Sequence, residues 1–476
     1  MTRIDSSEMV AQASVDRNGF VFAWKDRIFR AIYPPREAEI RELLDSGLID
    51  ELVQAGLFPK TTRTDYVTDD CALVLEHEKI APVLLPENWS FEMHKDACLC
   101  LLEVNRIATH YGYATIDAHG FNILFAGNRP KFVDLGSFIK AEAAGKDTAK
   151  GWRGLQEFEQ VLLLPLKIRA SGWCFNLVPW YDSSFSALFK PLVAHPIWAR
   201  LLPPGLYRLL FSAYYHYRMI HQVPDAVITD LLKYTWQRRL GAKAILWGKH
   251  WNILPFTSLS FARMKKQVQS IKKRRVRTMW GAYHDQVKST PRFEKILELL
   301  RALPECKTVL EFGGNAGAFS KLLAENTAFE RIICTDYDTD ALDKLYSELR
   351  TESNGKIITA LLNLRQDIRS CGYESGEQRL RSDITCCLAL THHLFLTQGL
   401  SLNFVFSRIR NYTTKYAAVE FMPLGLYSSK YNDAPALPDW YTEEWFRAGF
   451  ERFFSTLSRT MTEKNRVLYV GAVKTL

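Results

Sequence analysis

The sequence predicts a mixed α/β protein in which residues 291–476 form a doubly wound, Rossmann-like sheet. Three observations predict this sheet. A glycine-containing turn joins an apolar run to a helix-forming segment within 309–325, and an aspartate ends the next apolar run. Apolar runs then continue to alternate with longer helical patterns, which is typical of parallel strands joined by helices. An α+β region with a helical lobe precedes the sheet.

The turn after the first apolar run has the features of a nucleotide-cofactor site. It comprises Glu311, Gly313, Gly314, Asn315 and Gly317. Glycine lets the backbone bend sharply near a ligand, and a helix start attracts anionic groups. Asp336 ends the next apolar run, nineteen residues after Gly317, where a carboxylate can reach a ribose hydroxyl. The spacing E-x-G-x-x-x-G differs from the dinucleotide pattern G-x-G-x-x-G, which favours S-adenosylmethionine (SAM) over NAD. An ordinary strand-to-helix turn is the alternative.

Further apolar runs complete the predicted sheet. They are residues 383–390, 416–423, 450–455 and 466–473. The first is a buried fourth strand that ends just before His392 and His393, the second is a fifth strand carrying Glu420, and the last two form a closing antiparallel hairpin. Ligands of open α/β sheets bind beyond the carboxyl ends of the strands, so we expect these three side chains where an acceptor meets the cofactor.

The two histidines are candidate catalytic bases. Methyl transfer to oxygen or nitrogen needs an acceptor lone pair, and a histidine that titrates near neutrality can remove the acceptor proton. His393 or His392 would be that base, with Glu420 binding an acceptor hydroxyl or orienting a histidine. In the alternative interpretation, one histidine caps the following helix, the other packs in the core, and Glu420 caps a loop.

Composition is that of a large soluble protein. The chain has 476 residues, 47% of them apolar, which is enough for two or three cores. No apolar run is long enough to span a bilayer, and the polar first fifteen residues give no signal-peptide pattern. Nine scattered cysteines without a C-x-x-C pair suggest reduced thiols, so we expect a cytoplasmic protein.

The net charge of +9 is concentrated in a basic stripe at 263–277. This stripe could meet an anionic membrane surface or a phosphorylated glycan, or could be a solvated linker helix. It contains no aromatic residue for base stacking, which argues against nucleic acid. Trp280 and Tyr283 follow directly, and they either cover the cofactor or pack in the interior.

The first half holds a second constellation, formed by Asp117, Asn122 and Asp134. Its spacing resembles D-x-x-x-x-N followed by D-x-G of protein-kinase-like phosphotransferases. The resemblance implies that Asp117 is the base and that Asn122 and Asp134 hold Mg²⁺ beside ATP. A hairpin at 19–24 and 27–32 suits such a fold. The pattern is incomplete, because a glycine-rich loop and the V-A-I-K lysine are missing, and Arg30 is the nearest strand cation.

The order of these features predicts four regions. Residues 1–150 form the kinase-like α+β region, and 151–262, rich in aromatic and aliphatic residues at helical spacing, form a helical lobe that completes it. Residues 263–290 are a basic linker and possible lid, and 291–476 are the doubly wound domain.

The second half resembles class I SAM-dependent methyltransferases. The whole chain resembles a bacterial family of two-part methyltransferases related to nodulation-type proteins, through the phrases at 115–117, 132–138, 389–394 and 419–423. The resemblance implies that the glycine turn lies under the methionine part of SAM and that Asp336 holds the ribose diol. Asn363 falls where class I methyltransferases often have an acidic residue beside the adenine.

Two functions follow from these resemblances. The first is SAM-dependent methylation, expected at oxygen of a glycan, glycolipid or small-metabolite acceptor that the kinase-like domain binds. The alternative is a bifunctional enzyme that phosphorylates its acceptor with ATP and Mg²⁺ and then methylates it.

Overall fold

The chain folds as two compact units. The first contains Met1–Ile80, His94–Leu124 and Pro130–Arg275, and the second contains Ala81–Met93, Phe125–Arg129 and Val276–Leu476. The computed structural model describes residues 2–12, 18–141, 148–149, 152–170, 243, 260–273, 291–352, 355–367, 375–427 and 436–475. Within these residues, no helix has the length and apolar character needed to cross a membrane.

Short strands dominate the described residues up to Lys140. They are β1 (Thr2–Arg3), β2 (Val10–Ala11), β3 (Gly19–Trp24), β4 (Arg27–Ile32), β5 (Thr61–Arg63), β6 (Tyr66–Val67), β7 (Leu73–His77), β8 (Tyr113–Thr115), β9 (Ile123–Ala126), β10 (Arg129–Phe132) and β11 (Phe138–Lys140). Five of them form an antiparallel sheet in the order β2-β3-β4-β7-β5. The predicted hairpin is confirmed as β3 and β4, and Lys25 and Asp26 both have positive φ, as a two-residue hairpin turn requires.

Helices follow and flank this sheet. They are α1 (Glu37–Asp45), α2 (Leu48–Gln54), α3 (Phe91–His110), α4 (Leu155–Glu157), α5 (Leu164–Ala170) and α6 (Phe261–Ser270). The sheet buries an aromatic and aliphatic cluster around Phe22, Phe29 and Val74. Most of the predicted helical lobe, 171–242 and 244–259, lies outside the described residues.

The second unit is built on one seven-stranded sheet. Its strands are β12 (Thr308–Phe312), β13 (Arg331–Asp336), β14 (Ile357–Leu361), β15 (Ser382–Cys387), β16 (Thr413–Phe421), β17 (Phe454–Glu463) and β18 (Arg466–Val473). Their order is β14-β13-β12-β15-β16-β18-β17. The first five strands are parallel, β18 is antiparallel to both of its neighbours, and β17 therefore runs in the same direction as the first five. The predicted doubly wound sheet and its closing hairpin are confirmed.

Helices connect these strands. They are α7 (Pro291–Arg301), α8 (Ala318–Asn326), α9 (Thr339–Leu349), α10 (Gly376–Leu380), α11 (Leu402–Tyr412) and α12 (Glu443–Phe450). Apolar side chains of α7, α8 and the central strands form a buried cluster that includes Ile296, Leu323 and Ile332. The hairpin starts at Phe454 rather than at the predicted residue 450, because Phe450 still belongs to α12 and packs against Phe454.

Two short segments of the first half belong to the second unit. Residues 81–93 and 125–129 make their long-range contacts with the edge strand β14 and the helices beside it. The sequence pattern groups both segments with the first 150 residues, because nothing in their local composition distinguishes them.

Candidate cofactor and acceptor site

The glycine turn lies between β12 and α8 and bends sharply. Gly313, Asn315 and Gly317 all have positive φ, at 66°, 55° and 74°. Helix α8 begins directly after Gly317, so its first backbone N–H groups face the turn. The structure therefore forms the tight strand-to-helix loop that the sequence predicts.

Two glycines of this turn are required by close packing. A Cβ atom at Gly314 would lie 2.6 Å from Sγ of Cys334, and one at Gly317 would lie 2.7 Å from Cδ2 of Leu345. Both neighbours are fully buried, so they have little room to move. The turn therefore packs closely against β13 and α9.

Glu311 is the buried acid of the turn. Its side chain is 4% exposed and accepts a hydrogen bond from the Ser320 hydroxyl at 2.5 Å. Burial raises the pKa of Glu311 to about 7, while the Ser320 hydroxyl opposes the shift. A cationic group bound nearby would favour the ionised carboxylate.

Asp336 ends β13 and faces the glycine turn. Its carboxylate accepts hydrogen bonds from the backbone N–H of Asn315 at 2.9 Å and of Asp338 at 2.8 Å. Burial raises the pKa of Asp336 to about 6, and these two bonds oppose the rise. A backbone hydrogen bond from Tyr337 opposes the rise as well. An ionised carboxylate has about four acceptor positions, so about one stays available for a ligand hydroxyl.

Asn363 lies just beyond the end of β14, on the same edge of the sheet. Its side-chain oxygen accepts from the backbone N–H of Arg365 at 3.1 Å and shapes a turn. The preceding N–H, of Leu362, donates to the Asp336 carbonyl at 2.9 Å. The ends of β13 and β14 are therefore joined at the place where the sequence predicts an adenine neighbour.

The histidine pair follows β15 through a constrained turn. Ala389 has a φ of 52°, which is uncommon for a residue other than glycine. The Thr391 hydroxyl donates to the Glu420 carbonyl at 2.5 Å and ties this turn to β16. The rings of His392 and His393 then lie with their centroids 4.1 Å apart.

Both histidines are held in the neutral form. Burial, followed by His393 and Arg466, lowers the pKa of His392 to about 3. Burial also lowers the pKa of His393, which is the less buried of the two. A neutral imidazole can accept a proton at physiological pH, and the less perturbed His393 is the stronger base of the pair.

Glu420 is fully buried, and its carboxylate accepts four hydrogen bonds. Arg292 donates to both of its carboxylate oxygens, Arg466 donates to Oε2 at 3.1 Å, and the backbone N–H of Ala389 donates to Oε2 at 2.8 Å. Three of these four hydrogen bonds end on Oε2 and one ends on Oε1. Glu420 therefore holds the Ala389 turn, and its role in binding an acceptor hydroxyl stays a prediction.

Sequence reasoning missed the two arginines of this cluster and one exposed aromatic residue. The only local signal for Arg292 and Arg466 is a glutamate within an apolar strand, which needs a cationic partner but does not identify it. Tyr337 follows Asp336 and is 42% exposed at the same edge of the sheet. An aromatic residue next to the acid that the sequence predicts to bind ribose could have been inferred from its position.

The first unit brings part of its predicted constellation together. The Asn122 amide donates to Oδ2 of Asp134 at 3.3 Å, and the Gly136 N–H donates to Oδ1 at 3.0 Å. Arg30 of β4 lies 3.8 Å from Oδ1 of Asp134. The Ser137 hydroxyl accepts from the backbone N–H of Asp117 at 3.0 Å.

The metal-binding role of Asn122 and Asp134 and the lid role of Trp280 and Tyr283 both stay predictions. Within the described residues, no group of three or more His, Cys, Asp or Glu side chains could hold a metal ion. Trp280 and Tyr283 lie outside the described residues, as does 274–277 of the basic stripe. The described part of the stripe contains α6, where Lys265 pairs with Glu103 at 3.2 Å.

The chain is similar over most of its length to a nodulation protein. No family model matches the chain. Nodulation protein NoeA of Rhizobium meliloti (strain 1021) is 26% identical over 460 residues, which cover 89% of this chain and 88% of NoeA. The similarity therefore extends over both units.

Similar solved structures match a smaller part of the chain. An S-adenosylmethionine-dependent methyltransferase from Clostridium acetobutylicum ATCC 824 is 12% identical, with 40% of this chain and 94% of that one covered and a TM-score of 0.32. Magnesium protoporphyrin IX methyltransferase (ChlM) from Synechocystis PCC 6803, solved with bound SAM, is 14% identical, with 42% and 87% covered and a TM-score of 0.29. Each likeness is limited to less than half of this chain.

Proposed function

We propose that this protein is a SAM-dependent methyltransferase. The observation that carries the proposal is the contact between the backbone N–H of Asn315 and the carboxylate of Asp336. It brings the ribose-binding acid next to the glycine turn. The strand order, with five parallel strands closed by an antiparallel hairpin, is the arrangement that the resemblance to class I methyltransferases implies.

The residues of the turn suit the parts of SAM. Glu311, Gly313, Gly314, Asn315 and Gly317 would hold the methionine part, Asp336 the ribose diol, and Asn363 the adenine. Glu311, whose pKa is raised to about 7, would ionise beside a cationic ligand, and Asp336 would accept a ribose hydroxyl in addition to its backbone hydrogen bonds. When bound, SAM supplies an electrophilic methyl group.

The histidine pair supplies the proton chemistry on the acceptor side. His393 would accept the proton of an acceptor hydroxyl; SAM would supply the methyl group to that oxygen, with the C–S bond broken and S-adenosylhomocysteine released. His392, more buried and with its pKa lowered to about 3, packs against His393 and orients it. Glu420 contributes by fixing the turn that carries both rings. Most of the rate enhancement would come from positioning, because the sulfonium is already reactive.

The acceptor belongs to the finer part of the proposal. A glycan, glycolipid or small metabolite with a nucleophilic hydroxyl fits the neutral histidine base, and the kinase-like first unit would bind that acceptor. The antiparallel sheet and the paired Asn122 and Asp134 support a kinase-like arrangement.

A bifunctional kinase and methyltransferase is the second candidate. It requires Asn122 and Asp134 to hold Mg²⁺ beside ATP, with Asp117 as base. Arg30 is the nearest strand cation that could bind a phosphate, and it lies 3.8 Å from Asp134. ATP-dependent thermal stabilisation that is lost in Asp134→Ala would favour this candidate, and no response to ATP would favour the acceptor-binding role.

Calorimetric titration with SAM tests the main proposal. Asp336→Ala should abolish binding, because it removes the ribose acceptor. Asp383→Ala is the matched control. Asp383 also accepts hydrogen bonds from two backbone N–H groups, of Lys307 and Thr308, but it lies at the amino-terminal ends of the strands. Unchanged affinity in Asp336→Ala, or equal losses in both variants, would contradict the proposal.

A further inference from the structure

A residue from the first fifth of the chain holds the end of strand β14. The amide of Asn88 donates to the Leu361 carbonyl at 3.3 Å, and the N–H of the same peptide, from Leu362, donates to the Asp336 carbonyl at 2.9 Å. This peptide is therefore fixed from both sides. Asn88 is fully buried, so its hydrogen bonds do not compete with solvent.

The residues that follow Asn88 hold the neighbouring turn. The backbone N–H of Phe91 donates to the Thr339 hydroxyl at 3.3 Å, and that of Glu92 donates to Oδ1 of Asp343 at 2.8 Å. Thr339 begins α9, three residues after Asp336. Residues 88–92 thus contact both turns that leave the carboxyl ends of β13 and β14.

Asn88 is itself locked in place. Its side-chain oxygen accepts from the backbone N–H of Leu85 at 3.3 Å and from Nη1 of Arg379 at 3.4 Å. The same guanidinium group donates to the Val83 carbonyl at 2.6 Å and pairs with Glu87 at 3.3 Å. An amide with both ends bonded cannot rotate, so it can impose a position on the peptide it contacts.

Resting on the proposed function, we infer that Asn88 is a positioning residue for the adenosyl half of the SAM site. It does not contact the cofactor. It fixes the Leu361–Leu362 peptide, which sets the spacing between the ribose-binding Asp336 and Asn363. The cofactor site of the second unit is therefore completed by a segment from the first half of the chain, and the carboxyl-terminal sequence alone does not contain it.

The chain offers a matched control at the other end of the same strand. Asn128 is also buried, and its amide donates to the Ile357 carbonyl at 2.7 Å, at the first residue of β14. Both asparagines thus cap carbonyls of one strand. Only Asn88 does so at the end of the strand where the cofactor is proposed to bind. If both asparagines had a purely structural role, replacing either one should affect ligand binding to a similar extent.

The test compares Asn88→Asp with Asn128→Asp in the full-length chain, because aspartate keeps the shape and removes the amide donor. S-adenosylhomocysteine and 5′-methylthioadenosine are titrated by calorimetry, and thermal unfolding is measured in parallel. Asn88→Asp should weaken both ligands by the same factor, about tenfold, the effect of losing one buried hydrogen-bond partner. Asn128→Asp should leave both affinities within about twofold while lowering the melting temperature at least as much.

Three results would overturn the inference. They are unchanged ligand affinity in Asn88→Asp, equal weakening in both variants, and weakening of S-adenosylhomocysteine without weakening of 5′-methylthioadenosine. Should Asn88→Asp not fold, Thr339→Val replaces it, since that change removes the acceptor of the Phe91 N–H and predicts the same pattern. If the unaltered chain binds neither ligand, the proposed function itself fails and the inference fails with it.

Discussion

Arg292 binds Glu420 through two parallel hydrogen bonds, with Nε and Nη2 each 2.7 Å from a carboxylate oxygen. The two residues are 128 positions apart, and the pair is buried. Arg466 adds a second guanidinium group to the same carboxylate. Glu420 therefore pairs with two arginines, of which Arg466 also pairs with Glu463 at 3.2 Å, and it accepts a hydrogen bond from the turn that precedes the histidine pair.

Removing the glutamate of this cluster should be costly. Glu420→Ala leaves the buried Arg292 without its counter-ion, leaves Arg466 with Glu463 alone, and frees the Ala389 turn. We therefore expect a loss of about 3–5 kcal/mol in the free energy of unfolding. Urea unfolding of the full chain measures it. Glu330→Ala, which removes an exposed ion pair with Lys307 in the same unit, is the control and should change little. A small loss for Glu420→Ala would show that the cluster does not stabilise the fold.

Local patterns in the sequence predicted the sheet of the second unit. Glycines at 313 and 317 indicate a turn with positive φ, and apolar runs indicate buried strands, because both depend on residues close together in sequence. The turn at Ala389 had no such signal. A positive φ is not favoured by the alanine side chain, and the hydrogen bonds of Ala389 and Thr391 to Glu420 hold the turn in place.

Long-range partners could not be predicted in the same way. Nothing near Arg292 indicates Glu420 as its partner, and nothing near Asn88 indicates that it caps β14. These contacts depend on which strand lies at the edge of the sheet and on what covers it. Neither property can be seen in a short stretch of sequence, because both depend on the arrangement of the whole fold. For this reason the sequence pattern grouped segments 81–93 and 125–129 with the first region.

Gly317 should tolerate alanine poorly. Its φ is 74°, and an added Cβ would lie 2.7 Å from Cδ2 of the buried Leu345, so strain and overpacking combine to about 2–4 kcal/mol of destabilisation. Gly399 has a similar φ of 65° with no atom within 4 Å of the added Cβ, so Gly399→Ala should show the strain alone, about 1 kcal/mol. Equal losses in the two variants would mean that packing against Leu345 contributes nothing.

Glu311 should make stability fall as pH rises. Its pKa is raised from 4.5 to about 7 in the folded chain, so the folded state binds a proton that the unfolded state has released over this range. The shift corresponds to about 3 kcal/mol, present at low pH and lost progressively as pH increases through 7. Glu311→Gln keeps an acceptor for Ser320 and removes the titration. The free energy of unfolding of Glu311→Gln should therefore rise relative to that of the unaltered chain between about pH 5 and about pH 8. Parallel curves of this free energy against pH would contradict the pKa shift.

His393 should control methyl transfer without controlling cofactor binding. With labelled SAM and a metabolite or glycan fraction that the unaltered protein methylates, His393→Gln should slow transfer by roughly 10²–10⁴-fold, because the acceptor proton loses its base. The affinity for S-adenosylhomocysteine should stay the same. Burial lowers the pKa of His393 below its ordinary 6.5, so the acid limb of the pH–rate profile should have its midpoint below that value and disappear in the variant. His392→Gln, in the more buried ring, should cost less activity and leave the acid limb in place. An acid limb with its midpoint above 6.5, or one that survives in His393→Gln, would mean that another group accepts the proton.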